Sequence, residues 1–181
     1  MQAATRSIEP EPPAIDRIFA LHHQRVAHAA YRVTGNPSDA EDVMQTVFLR
    51  LLRRVPSDPP ETLGPYLHRA AVNAALDLLR RRKRRPAVSL EDDAAGSAPR
   101  DMAPAPDHVG LGSELRQQLR RAIAGLSPRA AEIFVLRYLE GYGNKEIAEL
   151  LDTTQSTVGV TLHRVREQLK KDLGCYLGEP S

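Results

Sequence analysis

The chain has 181 residues, of which 41% are apolar but only 4% aromatic, with no tryptophan. Any core must therefore be built from Leu, Val, Ile and Ala, which together with many Arg and Glu suits helices better than strands. The single cysteine, Cys175, excludes an intramolecular disulfide or a multi-cysteine zinc site. No apolar run reaches the length of a membrane span.

The net charge of +2 conceals an uneven distribution. Residues 14–85 carry +6, residues 86–112 carry −4, and residues 113–181 are close to neutral. A basic block followed by an acidic connector suggests nucleic acid as a partner. The polar, Pro-rich stretch at 1–13 does not read as a signal peptide, and a cytoplasmic protein without membrane insertion is expected.

Ile15, Ile18, Phe19, His22, Val26, Ala29, Ala30 and Val33 recur at helical spacing, and Gly35 supplies a stop. After the Asn36-Pro37 turn, Ser38 and Glu41 form a candidate capping box. Asp39 and Asp42 suit the positive end of the helix that follows. That helix runs to about Arg54 with Val43, Val47 and Leu51 on its buried face, which leaves Phe48 partly off the stripe as a candidate exposed apolar anchor. Residues 55–65 hold four prolines and read as a loop. A third helix, from about Tyr66 to Arg82, carries the stripe Leu67, Ala71, Ala74 and Leu78 and runs into the basic stretch Arg80 to Arg85.

Residues 86–112 are rich in Pro, Ala, Gly and Asp and read as a flexible acidic linker. Beyond it, Leu115, Leu119, Ile123 and Leu126 mark a fourth helix. Ser127-Pro128 starts a fifth, and Gly141 stops it. Asn144 can cap a short helix over Lys145 to Leu151. Asp152-Thr153 then makes a tight turn, and Thr154 caps a longer helix from Gln155 to about Lys171 with the stripe Val158, Leu162, Val165 and Leu169. Short helix, turn and longer helix make a helix-turn-helix, whose second helix commonly enters the major groove. Away from its stripe that helix is polar, with hydroxyl, amide and guanidinium groups able to bond phosphates and base edges. The basic run Arg80, Arg81, Lys83 and Arg84 suits phosphate contact.

No catalytic constellation, phosphate loop, metal cluster or cofactor motif is found. His22, His23 and His28 fall on different helix faces, and the carboxylates Asp39, Glu41 and Asp42 are explained by capping.

In this order, three groups of residues resemble the extracytoplasmic-function group of sigma factors. They are Asp39 to Arg50; Tyr66 to Arg80; and the series Leu126 to Arg129, Phe134 to Tyr138, Glu146 to Ala148, Thr157-Val158 and Leu162 to Arg164. The resemblance implies an all-α chain of two small helical domains. Region 2 would span 14–85 and region 4 would span 113–175, joined by the linker at 86–112 and flanked by tails at 1–13 and 176–181. It implies a monomer that catalyses nothing itself and binds core RNA polymerase, at the beta-prime clamp and beta flap, together with promoter DNA, with an anti-sigma protein as a plausible restraint.

Asp39, Asp42, Gln45, Phe48 and Leu49 would face core polymerase. Arg69 and Asn73 would frame the pocket for a flipped minus-ten base, with Arg80, Arg81, Lys83 and Arg84 on phosphate. Gln155, Ser156, Thr157, Gly159, Val160, His163 and Arg164 would meet the minus-thirty-five element. Gly159 and Val160 stand where the family often has a basic residue and Ser. Val72 stands where Arg is common and Tyr66 where Trp is common. The alternative is a helix-turn-helix regulator that binds DNA without polymerase, which would leave Asp39 to Arg50 unexplained.

Overall fold

The computed structural model describes residues 14–53, 63–84 and 111–177. They form seven helices: α1 (Ala14–Thr34), α2 (Pro37–Leu52), α3 (Leu63–Arg84), α4 (Leu111–Gly125), α5 (Pro128–Tyr138), α6 (Asn144–Leu150) and α7 (Gln155–Leu177).

The α1–α2 corner follows from three adjacent residues. The Thr34 hydroxyl bonds the Ala30 carbonyl, and Gly35 takes φ +66, the left-handed angle that a helix stop favours. The Asn36 side chain then accepts from the Asp39 amide at 3.1 Å, and Pro37 opens α2. The cap is thus Asn36 rather than Ser38. Pro37 explains the difference, because its fixed φ and missing N–H suit the first helical position, which leaves the residue before it as cap. Ser38 is exposed inside the first turn.

Helices α1, α2 and α3 pack together around Val26, Ala30, Val33, Val43, Val47, Leu67, Ala71 and Ala75. Helix α3 starts three residues earlier than its periodicity suggests, at Leu63, and reaches Arg84. Both Leu63 and Gly64 are buried. The expected loop from 55 onward lies outside the described residues up to 62, as do residues 1–13, the linker up to 110 and residues 178–181. The last two residues of the expected linker already belong to α4, and α7 continues past the expected boundary at 175.

In the second domain the expected signals appear in place. The Ser127 side chain caps α5, Pro128 occupies its first turn, and Gly141 takes φ +79 beyond its end. Gly143 rather than Asn144 precedes α6, and its N–H donates to the Glu146 carboxylate at 2.6 Å. Asp152 adopts φ 48 in the turn before α7, and the Thr154 hydroxyl accepts from the Thr157 amide. Ile133, Leu136, Ile147, Ala148, Leu151, Val158 and Leu162 form a small core that locks α5, α6 and α7 together.

The two domains are in contact. Helix α3 packs against α4 and α5 as well as against α1 and α2. Leu76 lies roughly opposite the Leu67, Ala71, Ala74 and Leu78 stripe on a helix of about 3.6 residues per turn, yet it has 0% exposure. Its burial is supplied by the second domain.

Asn36→Ala should lower unfolding free energy by about 1 kcal/mol, while Ser38→Ala should change it by less than about 0.5 kcal/mol. Chemical denaturation of the two variants reads the difference, and equal effects would return the cap to Ser38.

Candidate nucleic-acid interface

The N-terminal half of α7 presents an open polar surface in the second domain. Val158, Leu162, Val165 and Leu169 hold this helix to the core, which turns the rest of it outward. Gln155, Ser156, Thr157, Val160, His163 and Arg164 are exposed. Gly159 is half-buried, with open space where a Cβ would stand. The Thr157 hydroxyl bonds that of Thr154 at 2.8 Å, so it serves the cap. The seven expected residues therefore lie together on one helical stretch that follows the tight turn, in the geometry a recognition helix needs.

Helix α3 presents a different picture. Arg69 and Asn73 were expected to be open for a base, yet both point at α5. Arg69 Nε donates to Glu132 Oε1 at 2.7 Å, and Asn73 Nδ2 donates to the same oxygen at 2.9 Å. Arg69 also reaches the Leu150 carbonyl. The Arg80 side chain is only 16% exposed, and it donates to Asp77 at 3.1 Å while its Nε and Nη2 are buried without partners. Of the basic run, Arg81, Lys83 and Arg84 are exposed, as phosphate contact requires. Arg82 braces the first domain instead, with both terminal nitrogens on the Asp39 carboxylate.

On α2, Asp42, Gln45 and Leu49 face outward, and Leu49 is 60% exposed. Two residues do not. Asp39 is buried under Arg82. Phe48 is 6% exposed and meets Phe19 edge-on at 4.9 Å. The stripe of α2 is wider than Val43, Val47 and Leu51, because α1 brings an aromatic ring alongside it. The exposed apolar residues of this surface are Leu49 and Leu52.

The residues missed by the sequence are the acceptors between the domains. Glu132 has its side chain 7% exposed, and Glu140 has 4%. Glu140 Oε2 accepts from Arg32 at 3.0 Å and lies 2.7 Å from His68 Nε2, while the Tyr142 hydroxyl lies 3.0 Å from His68 Nδ1. Among the described residues no helix is long and apolar enough to cross a membrane.

Comparison with known proteins bears on these surfaces. The family model described as Sigma-70 region 2 matches residues 18–85, and that described as Sigma-70, region 4 matches residues 116–169. The chain is 35% identical to the ECF RNA polymerase sigma factor SigE of Mycolicibacterium smegmatis, over 92% of its own length and 64% of that protein's. It is 32% identical to the RNA polymerase sigma factor CarQ of Myxococcus xanthus, covering 89% of this chain and 90% of that one. It is 29% identical to the ECF RNA polymerase sigma factor SigW of Bacillus subtilis, covering 86% and 87%. Among solved structures, the sigma factor RpoE of Bartonella quintana, in complex with the anti-sigma factor NepR, shares the fold. It has a TM-score of 0.51 and 16% identity, covering 88% of this chain and 96% of that one.

Phe48→Ala should cost about 3–5 kcal/mol of stability, as truncation of a buried aromatic does. Leu49→Ala should change stability by less than about 0.5 kcal/mol. Thermal or denaturant unfolding separates the two, and a stable Phe48→Ala variant would show that the ring is not internal packing.

Proposed function

The chain belongs to the extracytoplasmic-function group of the sigma-70 family, and from that premise we propose how its surfaces divide the work. It is an alternative sigma factor that directs RNA polymerase in transcription initiation. Residues 14–85 act as region 2 and residues 113–175 as region 4. The chain supplies no catalytic group, works in the cytoplasm and leaves phosphodiester chemistry to the polymerase.

Helix α7 enters the major groove of the minus-thirty-five element. Gln155, Ser156, His163 and Arg164 supply its base and phosphate contacts, and Gly159 and Val160 add little. The observation that carries this reading is the unobstructed polar face of α7 directly after the Asp152 turn. Region 2 holds the minus-ten element. Asn73 bonds a flipped base edge, Arg69 lies beside it, and Arg80, Arg81, Lys83 and Arg84 take phosphate. Unstacking costs about a few kcal/mol per base step, so melting needs these contacts together with those of the polymerase.

Asp42, Gln45 and Leu49 dock on the beta-prime clamp, and region 4 meets the beta flap. Leu49 takes the apolar anchor role first given to Phe48, since exposed apolar side chains serve as anchors when a partner covers them. The Bartonella relative is held by an anti-sigma factor, and an equivalent restraint fits this chain as well.

In vitro transcription with core polymerase on a promoter library tests the whole reading. Selective, sigma-dependent transcripts are expected, whereas promoter-specific binding by the chain alone with no stimulation of core would favour a free regulator.

Gly159→Arg fits the open space beside α7, and it should raise helix propensity by about 1 kcal/mol or slightly less. If the new guanidinium meets phosphate, holoenzyme affinity should rise on all promoters and the salt slope should steepen by about one unit. If it meets guanine, preference at one position should sharpen by about 1–3 kcal/mol. A salt titration followed by library selection reads both, and a folded variant that changes neither would remove residue 159 from the DNA face.

A further inference from the structure

A cavity of about 810 Å³ lies where the ends of α1 and α3 meet α4. Ligand cavities commonly hold about 300–1,000 Å³, so this one suits a small molecule. The end of α1 and its corner contribute Tyr31, Arg32 and Asn36, and α3 contributes Arg82 and Lys83. Helix α4 forms the opposite wall. Its Arg116 and Arg120 stand one turn apart, as do Gln117 and Arg121, so two adjacent ridges of one helix face the cavity.

The charge of this lining is one-sided. Six of its residues are cationic, and Glu114, exposed in the first turn of α4, is the one carboxylate among the described residues that lines it. Two of the cations are already neutralised, since Arg32 holds Glu140 and Arg82 holds Asp39. Among the described residues no carboxylate pairs with Lys83, Arg116, Arg120 or Arg121.

Arg120 is the most constrained of the four. Its guanidinium lies on Gly35, in the space left by the missing side chain, and φ +66 reserves that position for glycine. Lys83 lies likewise on Gly125. Burial first, then the charge of Arg116, push the Arg120 pKa below the usual guanidinium range. Two guanidinium groups one turn apart on a helix repel each other, and partial burial of one adds to the cost. A lining chosen for packing alone would place a carboxylate or an apolar side chain here. A cleft lined by one sign of charge instead focuses its field and concentrates ions of the opposite sign.

We propose that this cavity is a binding site for an anion built on a phosphate chain, a pyrophosphate or triphosphate group held between Arg116, Arg120 and Arg121 of α4 and Lys83 of α3. Guanidinium groups bond phosphate oxygens in pairs through parallel N–H donors. Four cations without carboxylates match the several charges of a phosphate chain better than the smaller charge of orthophosphate. Tyr31, Asn36 and Gln117 supply neutral donors for the oxygens that the cations leave. Duplex DNA fits less well, because its phosphates follow an open surface and here they would have to enter a recess walled by three helices. Lys83 also belongs to the run assigned to DNA phosphate, so the variants that test the cavity leave it unchanged.

The test is calorimetric titration of the full chain, without magnesium and at constant ionic strength, with inorganic tripolyphosphate, ATP and orthophosphate in turn. Tripolyphosphate should saturate at one per chain and bind at least about tenfold tighter than orthophosphate. Binding of ATP as tight as that of tripolyphosphate, or tighter, assigns the site to nucleotides, and weaker binding assigns it to inorganic chains. Arg116→Gln/Arg121→Gln, on two exposed side chains, should keep its helicity by circular dichroism and weaken tripolyphosphate binding at least about tenfold. Glu114→Gln removes the carboxylate of the lining and should strengthen binding about two- to threefold, a gain that damage to the fold could not produce.

Absence of saturable binding by the wild type overturns the site, as does tripolyphosphate bound no tighter than orthophosphate. An unchanged affinity in the folded double variant also overturns it, because the anion then sits elsewhere on the basic surface. If the double variant loses helicity, Glu114→Gln decides, and no gain in affinity overturns the site. If tripolyphosphate fails to bind while the double variant weakens holoenzyme binding to random duplex DNA, these arginines are DNA-backbone contacts instead.

Discussion

A buried carboxylate must be surrounded by donors, and Glu132 meets that requirement by reaching outside its own domain. Its side chain is almost fully covered, and Arg69 and Asn73 supply two hydrogen bonds to it while Arg129, one turn earlier, stands 3.6 Å away. Burying a charge without such partners costs several kcal/mol. The position of α5 over α3 and the orientation of the α3 polar face are therefore linked through one side chain. Without those donors α5 would have to turn Glu132 to water, and Leu76 would lose the cover it has now.

Much of the fold was legible because its signals are local. Gly35, Ser127-Pro128, Gly141, Asp152 and Thr154 each set a backbone angle or fill a cap within a few residues, and each acts as its chemistry suggests. Choosing between Asn36 and Ser38 as cap was harder, since both residue types cap helices and only the demand of Pro37 separates them. The surface of α7 was legible for the same reason as its core: a four-residue stripe leaves its other positions facing outward.

What was not legible depends on neighbours distant in sequence. Phe48 read as exposed because the α2 stripe alone does not show that Phe19 of α1 lies alongside. Arg69 and Asn73 read as free because nothing local announces Glu132, 59 residues beyond Asn73. There was one signal. Val72 and Leu76 are apolar on a part of α3 that the first domain does not cover, and an amphipathic helix with a second apolar patch has a second partner. The acceptors themselves, Glu132 and Glu140, carry no pattern that separates them from ordinary surface glutamates.

The Arg120 guanidinium of α4 lies on Gly35 and the Lys83 ammonium of α3 lies on Gly125, which bears on modularity. One apolar core runs through both domains and the second covers Leu76, so neither could be exchanged for a relative's counterpart without exposing apolar surface. The fit at the glycines is more specific still. Any side chain at Gly35 or Gly125 would displace the other domain's cation, and Gly35 holds a left-handed backbone angle besides. A chimera that pairs these glycines with unrelated helices would lose the register between the domains and the cover of Leu76. At Gly35 the two halves constrain each other's sequence, whereas the exposed, flexible Lys83 can swing away from a side chain at Gly125.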